Sequence, residues 1–168
     1  IGTRNATNDS LKTSRLLGEI LASKSINVLS GLALGCDTEA HYGAVSANGK
    51  TTAVLASGLD TISPRSNKNL AQEIVKKGGL LLSEYLVDTK PLKGFYVQRD
   101  KLQATLSNSI IIVQTKIDGG SMHASKEGLK LKRNVAVMDF NSTDQDFNGN
   151  LHLINKGAYR LTIDKLDE

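Results

Sequence analysis

The sequence contains few of the residues that cross-link small proteins or stack against planar ligands. It has one cysteine, no tryptophan and an aromatic content of only 4%. A lone Cys36 excludes an intrachain disulfide framework and any zinc site built on CxxC pairs, so we expect no metal, no cofactor and a reducing, cytoplasmic location. The scarcity of aromatic side chains excludes an extended stacking platform, so a binding site has to be built from loops.

Long apolar runs are also absent. The longest, Ile110-Ile111-Ile112-Val113 and Leu80-Leu81-Leu82, have the length of a strand, whereas a membrane crossing needs about 20 apolar residues. We therefore expect no membrane segment, and no signal peptide is recognisable. Hydrophobic residues make up 39% and charged residues 23%, as in folded proteins. The net charge of +4 permits an anionic partner without requiring one.

The chain opens without methionine, on Ile1-Gly2-Thr3-Arg4, which has the pattern of the end of a strand. We expect an excised fragment whose first strand is truncated and whose flanking domains are missing. The 168 residues are enough for one domain with its own core, and no linker or repeat divides them. The expectation is a single domain over residues 1–168.

Six short apolar runs are bounded by turn residues and predict strands. They are continuous rather than alternating, which is typical of parallel strands covered on both faces. The predicted strands are Ile26–Leu29, Thr52–Ala56, Leu80–Leu82, Ile110–Val113, Val135–Met138 and Tyr159–Leu161.

Helical segments separate the strands. The first carries an apolar stripe of Leu16, Leu17, Ile20 and Leu21, with Asn8 or Asp9 available as its N-cap. Helix ends are predicted at Gly49, Gly78 and Gly157, because glycine adopts the left-handed backbone conformation of a helix end at little energetic cost. Alternation of strand and helix predicts an α/β fold with a doubly wound, mostly parallel sheet and helices on both faces.

Five glycine-containing or small polar segments follow strands and should converge on the carboxyl edge of that sheet. They are residues 2–4, 30–37, 56–59, 83–84 and 118–121. Gly119-Gly120-Ser121 is the strongest anion-site candidate, because glycines before a helix let backbone N–H groups approach a phosphate. The alternative is a plain turn. Gly49-Lys50-Thr51 imitates the tail of a P-loop but precedes a strand, so we exclude ATP hydrolysis at that segment.

Basic side chains lie near the same predicted edge. Arg4 follows the first strand and can pair with a phosphate as a planar fork. A second basic group, interleaved with Phe95 and Tyr96, suits a nucleic-acid backbone and consists of Lys90, Lys93, Arg99 and Lys101. The alternative for this group is a solvated loop with Phe95 in the core. Asp37 and His41 are expected to be a helix cap and a packed histidine.

The order of these motifs resembles the DprA/Smf DNA-processing family. The resemblance runs through residues 2–4, 29–44 and 52–60, then through Leu81-Leu82-Ser83-Glu84, Phe95 with Arg99, Leu106-Ser107, Gly120-Ser121 and Gly157-Ala158. It covers nearly the whole chain in the right order.

The resemblance implies an extended Rossmann-like fold and a homodimer that binds single-stranded DNA without catalysing a reaction. It also implies loading of the RecA recombinase onto incoming DNA during natural transformation. The DNA-binding residues that the resemblance implies are Gly2, Thr3, Arg4, Ser30, Gly31, Phe95, Arg99, Gly120 and Ser121. Charge and position add Lys93 and Lys101, and the glycine loop before the helix adds Gly119. Where the family commonly has Arg-Asn-Arg, this chain has Arg99-Asp100-Lys101, and we expect Asp100 to weaken phosphate binding.

Two alternatives compete with this interpretation. One is a protein or enzyme that acts on a nucleotide-derived small molecule, because residues 119–124 also resemble the phosphate loop of phosphoribohydrolases. Those enzymes have a catalytic glutamate about one helical turn after the loop, and here Glu127 lies seven residues past Gly120. The other is a dimeric protein-interaction domain with a vestigial pocket.

Overall fold

The computed structural model describes residues 1–166; Asp167 and Glu168 of the predicted domain lie outside the described residues. Six strands alternate with helices along this part of the chain. The helices are α1 (Asn8–Ser23), α2 (Cys36–Ser46), α3 (Lys68–Lys76), α4 (Lys93–Leu106), α5 (Ser121–Lys130) and α6 (Asn148–Asn155). The strands are β1 (Val28–Ser30), β2 (Thr51–Leu55), β3 (Leu80–Ser83), β4 (Ser109–Ile112), β5 (Asn134–Met138) and β6 (Tyr159–Leu161).

All strand pairs are parallel, which confirms the predicted α/β class. Within residues 1–166 the strands form two three-stranded sheets, ordered β1-β2-β3 and β4-β5-β6, instead of one continuous sheet. Residues 1–3 run beside β4: the amino group of Ile1 donates to Ile111 O at 2.9 Å, and Val113 N–H donates to Ile1 O at 3.0 Å. The facing edges of β1 and β4 border a cleft of about 560 Å³ that α1 also lines.

Each sheet is covered by apolar side chains from its own helices. Ile110, Ile112, Val135 and Val137 pack with Met122 of α5 and Leu153 of α6. On the other sheet, Ala53 and Leu55 pack with Leu70 and Ile74 of α3. No helix among residues 1–166 combines the length and apolar character needed to cross a bilayer.

The first strand is shorter than predicted at its start. Ile26 is half exposed, and its N–H donates to Leu21 O at 2.9 Å, so it belongs to the turn that ends α1. The chain enters the β1–β2 ladder only at Val28, which pairs with Thr51. The predicted strand Ile26–Leu29 therefore begins too early, because it includes part of the turn that ends α1.

Two predicted helix boundaries are wrong in detail. The N-cap of α1 is Thr7, whose hydroxyl accepts from Ser10 N–H at 3.2 Å, rather than Asn8 or Asp9, which lie inside the helix. After α2 the left-handed residue is Asn48, with φ of 54°, rather than Gly49. Asparagine tolerates that conformation. The left-handed glycines predicted after α3 and α6 are present at Gly78 and Gly157.

Candidate functional site

A pocket of about 290 Å³ lies where the carboxyl ends of the two sheets meet. It draws on the N-terminal segment, the loop after β1, one face of α4 and the loop before α5. Its walls are Ile1, Gly2, Thr3, Arg4, Asn5, Ala33, Asp37, Tyr96, Arg99, Asp100, Thr115, Gly119, Gly120 and Ser121. Three of the five predicted loops thus converge; the loops after β2 and β3 contact each other instead, through Ser83 Oγ donating to Ser57 O at 2.6 Å.

The N-terminus of α5 contributes backbone donors to this pocket. The N–H groups of Gly120 and Ser121 have no hydrogen-bond partner among the described residues, and no side chain caps the helix. Gly119 allows the loop to pack closely against Thr115, because a β-carbon at this position would lie 2.6 Å from Thr115 Oγ1. Two free N–H groups at the positive end of a ten-residue helix are donors of the kind that bind anions in proteins.

Arg4 is the exposed positive charge of the pocket walls. Thr3 fixes its backbone by donating to Gln114 O at 2.8 Å and accepting from Cys36 N–H at 3.3 Å. The Arg4 side chain is exposed, and its guanidinium carbon lies 4.9 Å from the centre of the Tyr96 ring. No carboxylate in the described chain lies within 4.0 Å of it, so its hydrogen-bond donors are available to an anion.

Arg99 lies in the floor of the pocket and is only 4% exposed. Its Nη1 donates to Val54 O at 3.3 Å and lies 3.9 Å from Asp37 Oδ2. A β-carbon at position 31 would overlap the guanidinium, so glycine is required there. Sequence alone predicts a phosphate-binding arginine, but the structure places Arg99 behind Gly31, where it supports the pocket wall and faces buried carboxylates.

Asp100 adds a carboxylate to the pocket. Its Oδ1 lies 3.0 Å from Arg99 Nε, but this contact lacks hydrogen-bond geometry. Burial raises the pKa of the Asp100 carboxyl to about 6, while the adjacent Arg99 charge acts in the opposite direction. Asp37 lines the same pocket, is 5% exposed, and accepts from Gly31 N–H at 3.1 Å.

Five predicted site residues lie outside the pocket walls. Ser30 lines the cleft between β1 and β4, and Gly31 backs onto Arg99. Phe95 stacks on Tyr85 with ring centroids 4.1 Å apart. Lys93 and Lys101 are exposed on α4. Of the basic group, Lys93, Arg99 and Lys101 lie within α4 and Lys90 precedes it. Helical periodicity selects Tyr96, Arg99 and Asp100 for the pocket.

Tyr96 is named in the sequence only as an aromatic beside the basic group and is not among the predicted site residues, and Asp37 is predicted to be a helix cap. The i, i+3, i+4 spacing of Tyr96, Arg99 and Asp100 is the signal that could have identified the first. Nothing local identifies Asp37, because its position depends on Gly31 and Arg99. Glu127 pairs with Lys130 at 3.4 Å and is not a pocket wall, so the carboxylates that line the pocket are Asp37 and Asp100. Within residues 1–166 no cluster of three or more His, Cys, Asp or Glu side chains could hold a metal ion.

Similarity to known proteins agrees with this architecture. The chain is 34% identical over 158 residues to protein Smf from Synechocystis, covering 94% of this chain and 39% of that protein. The solved structure of DNA processing protein A from Streptococcus pneumoniae matches with a TM-score of 0.87 and 31% identity, over 96% of this chain and 56% of that one.

A second solved structure concerns the single-stranded DNA binding mode of DNA processing protein A from Helicobacter pylori. It matches with a TM-score of 0.88 and 32% identity, over 99% of this chain and 74% of that one. The model of the family described as DNA recombination-mediator protein A matches residues 1–167. The chain therefore belongs to the DNA recombination-mediator protein A family, which is the DprA/Smf family its motifs resemble.

Proposed function

We propose that this chain binds single-stranded DNA at the pocket between its two sheets and acts as a recombination mediator without catalysing a reaction. The convergence of Arg4 with the free N–H groups of Gly120 and Ser121 carries the proposal. A backbone phosphate held there would receive a guanidinium fork and two amide donors, a combination that suits a singly charged phosphodiester. The relative from Helicobacter pylori, described for binding single-stranded DNA, supports this ligand.

The broader role follows from family membership. We propose that the chain forms a homodimer, protects incoming single strands and delivers them to RecA during natural transformation. The chain spans 39% of the length of the Synechocystis relative. The absence of catalysis is proposed because Asp37 and Asp100 face Arg99 rather than a nucleophile.

Titration of a fluorescent oligo-dT strand tests the proposal. Arg4→Ala should weaken binding about tenfold and reduce the slope of log affinity against log salt by about 0.7, the contribution of one phosphate contact on a single strand. Arg133→Ala is the matched control: it removes the same charge beside the start of β5, at the opposite edge of the sheet. Salt-independent binding, or equal losses in the two variants, would contradict the proposal.

A further inference from the structure

The pocket balances its charges, which is unusual for a site that binds only a phosphate. Arg4 and Arg99 contribute two positive charges, and Asp37 and Asp100 are the two carboxylates in the walls. One carboxylate would suffice to neutralise the buried Arg99, so the second must be accounted for. A ligand that fits this set presents an anionic group to Arg4 and α5 and hydrogen-bond donors to the carboxylates.

Both carboxylates retain unused acceptor capacity. No N–H or O–H group among the described residues donates a hydrogen bond to Asp100, whose contact with Arg99 Nε is a misaligned charge contact. Asp100 Oδ2 faces Gly120, 4.0 Å from the place a β-carbon would occupy. Asp37 is 5% exposed, and its Oδ1 has no partner in the described chain. Asp37 Oδ1 is thus a buried acceptor without a donor, which is costly unless a ligand supplies one, and the Asp100 carboxylate, whose side chain is 16% exposed, is accessible to the same ligand.

We infer that Asp100 makes this pocket selective for guanine within a single strand, with the base edge on the Asp100 carboxylate and a neighbouring phosphate on Arg4 and the N-terminus of α5. The inference rests on the proposed function and adds base selectivity to it. Asp100 is a specificity residue that contacts the ligand, whereas Arg99 holds the Asp100 side chain in place.

Base chemistry explains the preference. Guanine carries two adjacent donors, the ring N1–H and the exocyclic N2–H, and these match the two oxygens of one carboxylate. Thymine places its single N3–H between two carbonyl oxygens, which a carboxylate repels. In cytosine and adenine the amino group lies beside a ring nitrogen that is itself an acceptor. A matched bidentate contact discriminates by about tenfold or more.

Protonation of Asp100 should remove the preference. A neutral carboxyl has one donor and one acceptor, and it can pair with any of the four bases. The charged groups facing Asp100 are Arg99, Asp37, Arg4 and, from α5, His123. The charges of these neighbours act on the phosphates of every strand alike, so the ratio of affinities for two strands isolates the Asp100 contact.

The experiment compares three labelled strands of about 20 nucleotides: alternating guanine–thymine, alternating cytosine–thymine and oligo-dT. At pH 8 the wild-type chain should bind the guanine-containing strand about tenfold more tightly than the other two. At pH 5 the ratio should fall to within about twofold, because the Asp100 carboxyl, with a pKa of about 6, is then protonated.

Asp100→Asn should give the low ratio at both pH values, and at pH 8 it should bind oligo-dT more tightly than the wild-type chain, because it removes a negative charge from the pocket wall. Asp118→Asn is the control, because it removes a negative charge beside Gly119 from a side chain that is not a pocket wall. Equal affinity of the wild-type chain for all strands at pH 8 would overturn the inference alone, and so would a preference that persists in Asp100→Asn. Failure to bind any strand would overturn the proposed function together with the inference.

Discussion

His41 is fully buried against β2, and its environment defines one tautomer. Thr51 Oγ1 donates to Val28 O at 2.6 Å, so it must accept from His41 Nδ1, 2.7 Å away. Nε2 then carries no proton and has no partner in the described chain. Burial lowers the pKa of His41 to about 4, although the Asp37 carboxylate acts in the opposite direction.

This lowered pKa makes the stability of the chain depend on pH. Between the unfolded pKa of about 6.5 and the folded value of about 4, only the unfolded chain binds the proton, so His41 destabilises progressively as pH falls through this window. The full effect is on the order of 3 kcal/mol. The raised pKa of Asp100 acts in the opposite direction near pH 4–6, so the wild-type curve alone does not isolate His41.

The variant His41→Asn isolates the contribution of His41 to the pH dependence, because an asparagine amide can still donate to Thr51 but does not titrate. We expect the variant to be less stable than wild type at pH 7.5, and the deficit to shrink by about 2–3 kcal/mol at pH 4.5. Urea unfolding at several pH values measures both quantities. A deficit that stays constant with pH would show that His41 does not titrate as its burial implies.

Individual site residues differ in how far sequence could predict them. Arg4 and Gly119-Gly120-Ser121 follow strands directly, and their position at the carboxyl edge follows from the topology. Arg99 was identified as a pocket residue, but its orientation depends on Gly31 and on Val54 O across the fold. Such long-range packing has no local signature in the sequence.

At the scale of elements, α1 offers a direct test of a helix boundary. Thr7 accepts from Ser10 N–H and has the extended backbone of an N-cap, whereas the sequence offered Asn8 or Asp9. Asn8 and Asp9 are equally good caps in isolation. The boundary is settled by tertiary contact, because Thr7 N–H donates to the buried Gln114 side chain at 2.9 Å.

Thr7→Ala should therefore cost about 1 kcal/mol of unfolding free energy, since it leaves the Ser10 N–H without its acceptor. Asn8→Ala, at the exposed position that sequence favoured, should change stability by less than about 0.5 kcal/mol. Chemical denaturation of the two variants side by side distinguishes them. A larger loss in Asn8→Ala would place the helix start one residue later.

Strands were easier to predict than their ends. All six apolar runs correspond to parallel strands, because apolar composition is a strong strand signal even at the edge strands β3 and β6, which have no fully buried residue. The edge strand β3 is the instructive case, since Leu80 is 52% exposed although its run is purely apolar. Composition predicts a strand, but which residues pack against that strand depends on the tertiary structure.

At the scale of the whole molecule, the main feature is that β1 and β4, the facing edges of the two sheets, do not pair with each other. The cleft between β1 and β4 is lined by Leu17, Leu21, Val28 and Ile111, and residues 1–3 enter it beside β4. The hydrogen bonds of Ile1 with Ile111 and Val113 are those of a parallel strand. The sequence predicted the end of a strand at Ile1 but could not show that two sheets would flank it.

This geometry predicts that an extended segment placed ahead of Ile1 would join the two sheets. Ile1 already lies beside Ile112, so three of four added residues would match Ser109–Ile111 and bring apolar side chains into the cleft. An added Val-Ile-Val-Val segment should raise the free energy of unfolding by about 2 kcal/mol, the gain from burying roughly one aliphatic side chain. A Gly-Ser-Gly-Ser extension of equal length is the control, and it should have little effect because it has no apolar surface to bury. Equal stabilities of the two extended chains in urea unfolding would show that the cleft does not accept a strand.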